Sequence, residues 1–249
     1  MRLLDIENND TNLQAWIEKG YILPKYNREI VKKNTLKNPE WIHFGAGNIF
    51  RAFLSSALQE ILNENEYDKG VIVCEGFDYE IIDKAYKPYD NLSLLVLLKS
   101  DGNIDKRVVG SVVDSINVRN EDESIKKLQK IFQNPSLQIV SFTITEKGYS
   151  LLDSNGEFLD IVKADFENGP DGSKHTMCII TSLLYKRFIT NKSPIALVSM
   201  DNCSHNGDKL KSAVINIAEV WCKTGFVSEE FINYINDKSK VSFPWSMID

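Results

Sequence analysis

From residue 41 onward, short apolar runs alternate with stretches of helical periodicity, and this alternation limits the architecture more than any single motif. WIHF (41–44), VIVC (71–74), LQIVSFTIT (137–145) and PIALVSM (194–200) read as buried strands. Between them, Asn48 to Asn63 reads as a helix whose apolar face is Ile49, Phe53, Ala57, Leu58, Ile61 and Leu62. Further helices are expected over Glu121 to Phe132, stopped by Asn134-Pro135, over Lys174 to Ile189, and at about 206–223 and 228–237. Strands joined by crossovers of helical length imply an α/β fold, a mainly parallel, doubly wound sheet with helices on both faces. One departure is expected: LSLLVLL (92–98) and RVVGSVV (107–113) flank SDGN (100–103) as a β-hairpin. Residues 153–173 hold two turn-rich clusters, DSNG and NGPDGS, and read as a surface excursion. Residues 1–40 are polar, with LQAWIEKG (13–20) as a short helix, and are expected to be an extension packed on a domain spanning 41–249.

Charge and composition remove several function classes. The net charge is −6 with no basic block, which argues against nucleic-acid binding through the phosphate backbone. No apolar run approaches the ~20 residues that span a bilayer, and MRLLDIENNDTN is not a signal peptide. A cytoplasmic protein without membrane partners is the expectation. The four cysteines, Cys74, Cys178, Cys203 and Cys222, form no C-x-x-C pair. Cys203 and His205 alone do not make a zinc site, so no metal is expected.

In parallel sheets, ligands bind beyond the carboxyl ends of the strands. Those ends carry Gly45-Ala46-Gly47-Asn48, then Glu75-Gly76-Phe77-Asp78, then Glu146-Lys147-Gly148, then Asp201-Asn202. In the first, two glycines let backbone N–H groups approach a phosphate, and the following helix offers its positive end. The third glycine of G-x-G-x-x-G is replaced by Phe50, so the helix must sit further from its strand or rotate. Arg51 faces either a phosphate or an internal ion pair. On local grounds a purely structural turn fits equally well.

Glu75 directly follows the second strand, where an acid accepts hydrogen bonds from the adenosine ribose; Asp78 is the second choice. An acid there repels a 2′-phosphate, so NAD is preferred to NADP. The spacing from Gly47 to Glu75 is longer than the usual ~20 residues, and a solvated strand end is the plain alternative. At 202, an asparagine amide can donate to an oxygen on which negative charge develops. His205 suits general acid–base work by residue type, or a structural helix start. Asn206-Gly207 reads as a turn opening a helix.

Taken together, HFGAGNIFRAF (43–53), SFTITEKGY (141–149), SMDNCSHNG (199–207) and FPWSMID (243–249) resemble the polyol-specific long-chain dehydrogenases, including mannitol 2-dehydrogenase and the fructuronate and tagaturonate reductases. The resemblance implies an extended Rossmann domain binding NAD(P), followed by a helical catalytic domain. It also implies metal-independent hydride transfer between a polyol and the matching ketose or keto-uronate. Gly45, Ala46, Gly47, Asn48 and Arg51 fall on its pyrophosphate turn. Asn202 matches an oxygen-polarising asparagine. Thr145, Glu146 and Lys147 fall towards the nicotinamide or substrate, as do His205 and Asn206. The family's base segment, Lys-x4-Asn-x2-His, is missing: eight positions before His43, His175 and His205 stand Thr35, Glu167 and Leu197. The expectation is therefore an amino-terminal piece of a longer enzyme, inactive alone. The alternatives are a non-catalytic nucleotide-binding module and an S-adenosylmethionine-dependent methyltransferase.

Overall fold

The fold is described from a computed structural model over residues 10–118 and 122–247. Contacts divide the chain into two compact units, Met1–Asn117 and Val118–Asp249.

The first unit opens with α1 (Asp10–Glu18), β1 (Tyr21–Ile22) and α2 (Arg28–Lys37). The α2 helix went unread in the sequence because it buries only Val31 and Thr35. A local signal existed: Asn27 caps the helix by accepting from the Ile30 N–H at 3.0 Å. Residues 1–9 of the expected extension lie outside the described residues. Next come β2 (Trp41–Phe44), a helix from Asn48 that ends as α3 (Ser55–Asn63), and β3 (Val71–Glu75). The hairpin forms from β4 (Ser93–Leu98) and β5 (Ile104–Val109), paired antiparallel, while β1 lies parallel to β5.

RVVGSVV is not one strand, as its composition suggested. It divides at Gly110 into β5 and β6 (Val112–Asn117), and β6 joins a different sheet, parallel to β3. Side chains cause the break by taking the ladder bonds of Gly110. Gln59 Oε1 accepts from its N–H at 2.6 Å, and Arg28 Nε donates to its carbonyl at 3.3 Å. A Cβ at residue 110 would meet Arg28 Cδ and Nε at 2.8 Å, so any side chain there would have to push the Arg28 side chain aside. Within this unit β3 lies between β2 and β6, parallel to both, and all five of its residues are buried.

The helix after β2 buries Leu58 and Leu62 of the apolar face expected for it, but turns Phe50 and Leu54 inward in place of the rest. Phe50, Leu54, Leu58 and Leu62 are buried, whereas Ile49 is 64% and Phe53 61% exposed, and Ala57 and Ile61 follow them outward. Both sets recur every four residues, so spacing alone could not choose between them.

The second unit contains α4 (Asp122–Gln133), β7 (Ile139–Phe142), the short α5 (Thr145–Gly148), α6 (Asp160–Asn168) and α7 (Thr176–Thr190). It continues with β8 (Ile195–Ser199), α8 (Asn206–Lys223), α9 (Glu229–Asn236) and β9 (Val241–Ser242). The expected start of α4 at Glu121 lies outside the described residues. β8 runs parallel to both β7 and β9. The region 153–173 is more ordered than its turn signals suggested: a Leu152–Phe158 bridge precedes α6, whose Asp165 carboxylate is buried under the Lys174 and His175 N–H groups. Arg187 of α7 is fully buried and donates to five backbone carbonyls, those of Phe132, Asn134, Leu137, Ser193 and Pro194. One cation thus joins the exit of α4 to the entries of β7 and β8.

Candidate functional site

In the first unit, hydrogen bonds gather the glycine turn and the end of β3. Gly45 has φ 114°, a region closed to side-chain-bearing residues, and its N–H donates to the Cys74 carbonyl at 2.9 Å. The Ala46 N–H donates to Glu75 Oε2 at 2.8 Å, and the Phe77 N–H to Glu75 Oε1 at 2.9 Å. The acid thus grips the turn, while each oxygen keeps further acceptor capacity. Asp78 is exposed and stands apart from this network. Gly47 and Asn48 are exposed at the helix start, with open space where a Gly47 side chain would project. The first-turn N–H groups beyond Gly47 have no intrahelical acceptors.

Phe50 solves the missing-glycine problem in an unexpected way. Its ring lies between helix and strand, stacked on His43 of β2 with centroids 4.3 Å apart and planes 8° from parallel. The helix widens into a π turn at Phe50–Leu54, which accommodates the ring. Both rings are fully buried. Burial pushes the His43 imidazole down to about 3, outweighing a Gly45 backbone hydrogen bond that acts the other way, so the ring is neutral.

Arg51 follows, its guanidinium 5.5 Å from the centre of the Tyr86 ring. No acid pairs with it among the described residues, and its Nε is buried without a partner. Tyr86 itself donates to the Ala46 carbonyl at 2.8 Å. Sequence reading missed Tyr86, since nothing local marks a residue that reaches the turn across forty positions.

In the second unit the centre is Asp201. Its carboxylate accepts from the Ile144 N–H at 3.0 Å, the Thr145 N–H at 2.9 Å and the Tyr149 hydroxyl at 2.5 Å. These bonds explain why the expected 137–145 strand stops at Phe142: two N–H groups leave the ladder direction for a carboxylate. Thr145 is consequently held at φ 63°, an uncommon region for a β-branched residue. Tyr149 also bonds Ser199 Oγ at 2.8 Å, and burial followed by the Asp201 charge raises its phenol well above the ordinary range. Tyr149 and Ser199 lay inside quoted motifs but carried no separate signal.

The remaining residues divide by exposure. Thr145, Glu146 and Lys147 are exposed at the start of α5, with Glu146 paired to Lys209 of α8. Asn202 is exposed, and its carboxamide makes no hydrogen bond among the described residues. His205 caps α8 at φ 54°, its Nδ1 3.5 Å from Asp208 and its ring edge-on to Trp245 at 4.4 Å. Asn206 is buried instead: its amide donates to the Ser246 hydroxyl at 2.8 Å and to the carbonyls of Ser246, Asp201 and Ser199. It ties the loop together and does not face outward. No group of three metal-ligating side chains occurs among the described residues, and none of their helices is long and apolar enough to cross a membrane. Cys74, Cys178, Cys203 and Cys222 are all free thiols.

Comparison with known proteins adds an independent line. Residues 39–249 match the family model described as the mannitol dehydrogenase Rossmann domain. The chain is 46% identical to a D-mannonate oxidoreductase of Thermotoga maritima over 235 residues, covering 94% of this chain and 43% of that protein. It is 27% identical to a mannitol 2-dehydrogenase of Cereibacter sphaeroides, covering 91% and 44%. Among solved structures, Pseudomonas fluorescens mannitol 2-dehydrogenase in ternary complex with NAD and D-mannitol superposes with a TM-score of 0.74 at 26% identity, covering 94% of this chain and 45% of that one. A substrate-free D-sorbitol dehydrogenase gives a TM-score of 0.75 at 26% identity, covering 92% and 45%. The chain spans less than half the length of these relatives.

Proposed function

The chain belongs to the mannitol dehydrogenase family, and from that premise we propose that it is the NAD-binding portion of an oxidoreductase acting on a polyol or hexonate and the matching ketose or keto-uronate. The carrying observation is the cradle itself: a Gly45–Gly47 turn gripped by Glu75, with the Arg51 guanidinium beside it and no acid paired to that charge among the described residues. These residues fit a dinucleotide. Gly47 leaves room above the turn, the first-turn N–H groups favour an anion, and Arg51 supplies a positive charge. NAD, when bound, supplies the hydride acceptor.

In this reading Gly45, Gly47, Asn48 and Arg51 hold the pyrophosphate. Ala46 gives its N–H to Glu75 and acts by shaping the turn. Glu75 keeps acceptor capacity for ribose hydroxyls and disfavours a 2′-phosphate, with Asp78 as a more distant second acid. Asn202 donates to the substrate oxygen as charge develops on it, and Asp201 fixes the backbone on which Asn202 and Thr145 stand. Among substrates, the 46% identity to a protein named for D-mannonate favours the hexonate. No Lys-x4-Asn-x2-His segment occurs in these 249 residues. The proposal therefore gives residues 41–249 cofactor binding and oxygen polarisation, and leaves the base to a helical domain of the kind the resemblance implies. Residues 1–40 serve as an extension on the dinucleotide domain.

The test is calorimetric titration of the chain with NADH, NADPH and S-adenosylmethionine. NADH binding tightest is the expected result; binding of S-adenosylmethionine with no response to NADH would overturn the reading.

A further inference from the structure

An asparagine loses its amide most readily when glycine follows it, because glycine puts no side chain in front of its own nitrogen. The chain holds three such pairs, at 155–156, 168–169 and 206–207. In each, the glycine nitrogen must swing towards the asparagine Cγ, out of helical geometry, before a ring can close. The surroundings of the three pairs decide which of them has that freedom.

Two pairs are held. Asn206 is 1% exposed at the start of α8; its amide donates to four acceptors, and its Oδ1 accepts from the Ser246 N–H at 3.2 Å. Behind it, a Cβ on Gly207 would meet the Phe243 and Pro244 carbonyls at 2.6 and 2.8 Å, so the backbone there is packed tight. Asn168 is exposed, but it is the last residue of α6, and the Gly169 N–H is bonded to the Asp165 carbonyl at 3.0 Å. Gly169 is also buried, packed against the Phe226 ring. Asn155 differs in each respect. It lies outside any helix, both it and Gly156 are exposed, and nothing stands within 4 Å of where a Gly156 Cβ would be. Its carboxamide reaches the exposed Asp153 carboxylate, a bond open to water. The Gly156 N–H donates to the Asp153 carbonyl at 3.2 Å, the long end of the normal range.

We propose that Asn155 is a site of spontaneous covalent modification, converted to aspartate and isoaspartate in the folded chain while Asn168 and Asn206 are preserved. The Gly156 nitrogen gives its proton to solvent and bonds to Asn155 Cγ, and the Cγ–Nδ2 bond breaks to release ammonia. Water then opens the five-membered imide at one carbonyl or the other. One opening leaves aspartate; the other leaves isoaspartate, whose main chain runs through the side-chain carbon. Water is the only co-reactant, and nothing is oxidised or reduced. The isoaspartyl product lengthens a turn that Asp153 holds in register. Asp153 Oδ1 accepts from the Asn155 N–H at 2.8 Å and the Glu157 N–H at 3.0 Å, and the Asp153 N–H donates to the Glu157 carbonyl at 2.8 Å. A longer main chain does not keep all three bonds, so the Leu152–Phe158 bridge beyond them opens. Either product places a new negative charge beside Asp153. The site is independent of the dinucleotide reading.

Incubation of the full 249-residue chain in mildly alkaline water enriched in heavy oxygen, followed by tryptic digestion in ordinary water and mass spectrometry, tests the site. The three asparagines fall in separate peptides, 148–163, 164–174 and 193–209. Heavy oxygen enters the side chain only during the incubation, so conversion during digestion is not counted. The expected result is label and isoaspartate accumulating in the first peptide about tenfold or more faster than in the other two. In urea the three rates should converge, because the fold and not the dipeptide separates them. The Glu157 amide should exchange its hydrogen faster in the aged protein and at the original rate in Asn155→Asp, which carries the charge without the longer main chain. Asn155→Gln should leave the first peptide unlabelled, with circular dichroism confirming that both variants fold. Equal labelling of the three peptides in the folded chain overturns the proposal, as do rate ratios that persist unchanged in urea. An Asn155 that stays unlabelled in the folded chain while converting in urea overturns it as well.

Discussion

Glu75 and Ala46 are joined by a 2.8 Å hydrogen bond from the Ala46 main chain to the Glu75 carboxylate, so the acid at the end of β3 organises the turn at the end of β2. A residue expected to meet a ribose therefore also shapes the loop proposed to meet the phosphates.

Glu75→Ala is expected to weaken NADH binding by about 1–3 kcal/mol, through loss of a charged acceptor and of the turn's support. Affinity for NADPH should fall less, so the NADH/NADPH ratio narrows. The Ala46 amide should also exchange its hydrogen faster. Asp78→Ala is expected to change selectivity less than Glu75→Ala. An unaltered cofactor ratio together with unaltered Ala46 exchange would remove both roles from Glu75.

Arg51→Ala should weaken NADH binding roughly tenfold to hundredfold, the range for a hydrogen bond to a charged group. Because the proposed interaction is with a phosphate, the salt dependence of binding should flatten in the variant. Titrations at low and high salt check both statements. Equal affinities for wild type and variant would return Arg51 to a structural role against Tyr86.

His43 makes stability depend on pH. Its folded-state value, about 3, lies below the ordinary 6.5, so the unfolded chain binds more protons between those limits. Stability is fully present above about 6.5 and falls as the pH drops towards 3, by up to about 1.4 kcal/mol per pH unit from this one group. His43→Phe keeps an aromatic partner for Phe50 and should lessen the acid slope, although His175, also lowered by burial, keeps part of it. Urea unfolding of both proteins across this range gives the comparison.

Asp201→Ala should destabilise the second unit by about 2–4 kcal/mol, since three donors lose a charged acceptor. Thr145→Gly in the otherwise unchanged chain is expected to stabilise it by about 1 kcal/mol, because glycine adopts the positive φ without the Cβ penalty, and to gain less in the Asp201→Ala background. An equal gain in both backgrounds would mean that Thr145 does not owe its conformation to Asp201.

The isolated chain should bind NADH yet show no oxidation of D-mannonate or D-mannitol with NAD above background, since no base segment accompanies the cradle. Absorbance assays that follow the reduced nicotinamide make the measurement. Robust turnover would show that a base resides within these residues.

The strands and the longer helices were legible because their apolar runs are local patterns, and the glycine turn and Asp201-Asn202 stood out at strand ends. Tertiary capture was not legible. Gly110 splits a run that reads as one strand because Gln59 and Arg28 take its backbone groups from far away in sequence. β7 stops early because a carboxylate 56 residues on claims the Thr145 N–H. The helix after β2 shows a third kind of failure: two apolar rows one residue apart have identical spacing, and only packing selects Phe50 over Ile49 for burial. Among site residues, exposed Asn202 and buried Asn206 differ only in what surrounds them, which a motif does not record.

The two-residue crossing at Gly110-Ser111 has a mechanical consequence. With only Gly110 and Ser111 between β5 and β6, the two sheets of the first unit share one register gauge. A one-residue slip of the hairpin would carry β6 with it and turn its alternate side chains to the wrong faces beside β3. The alignment of a hairpin distant in sequence from the glycine turn thus bears directly on the strand that ends in Glu75, the residue gripping that turn.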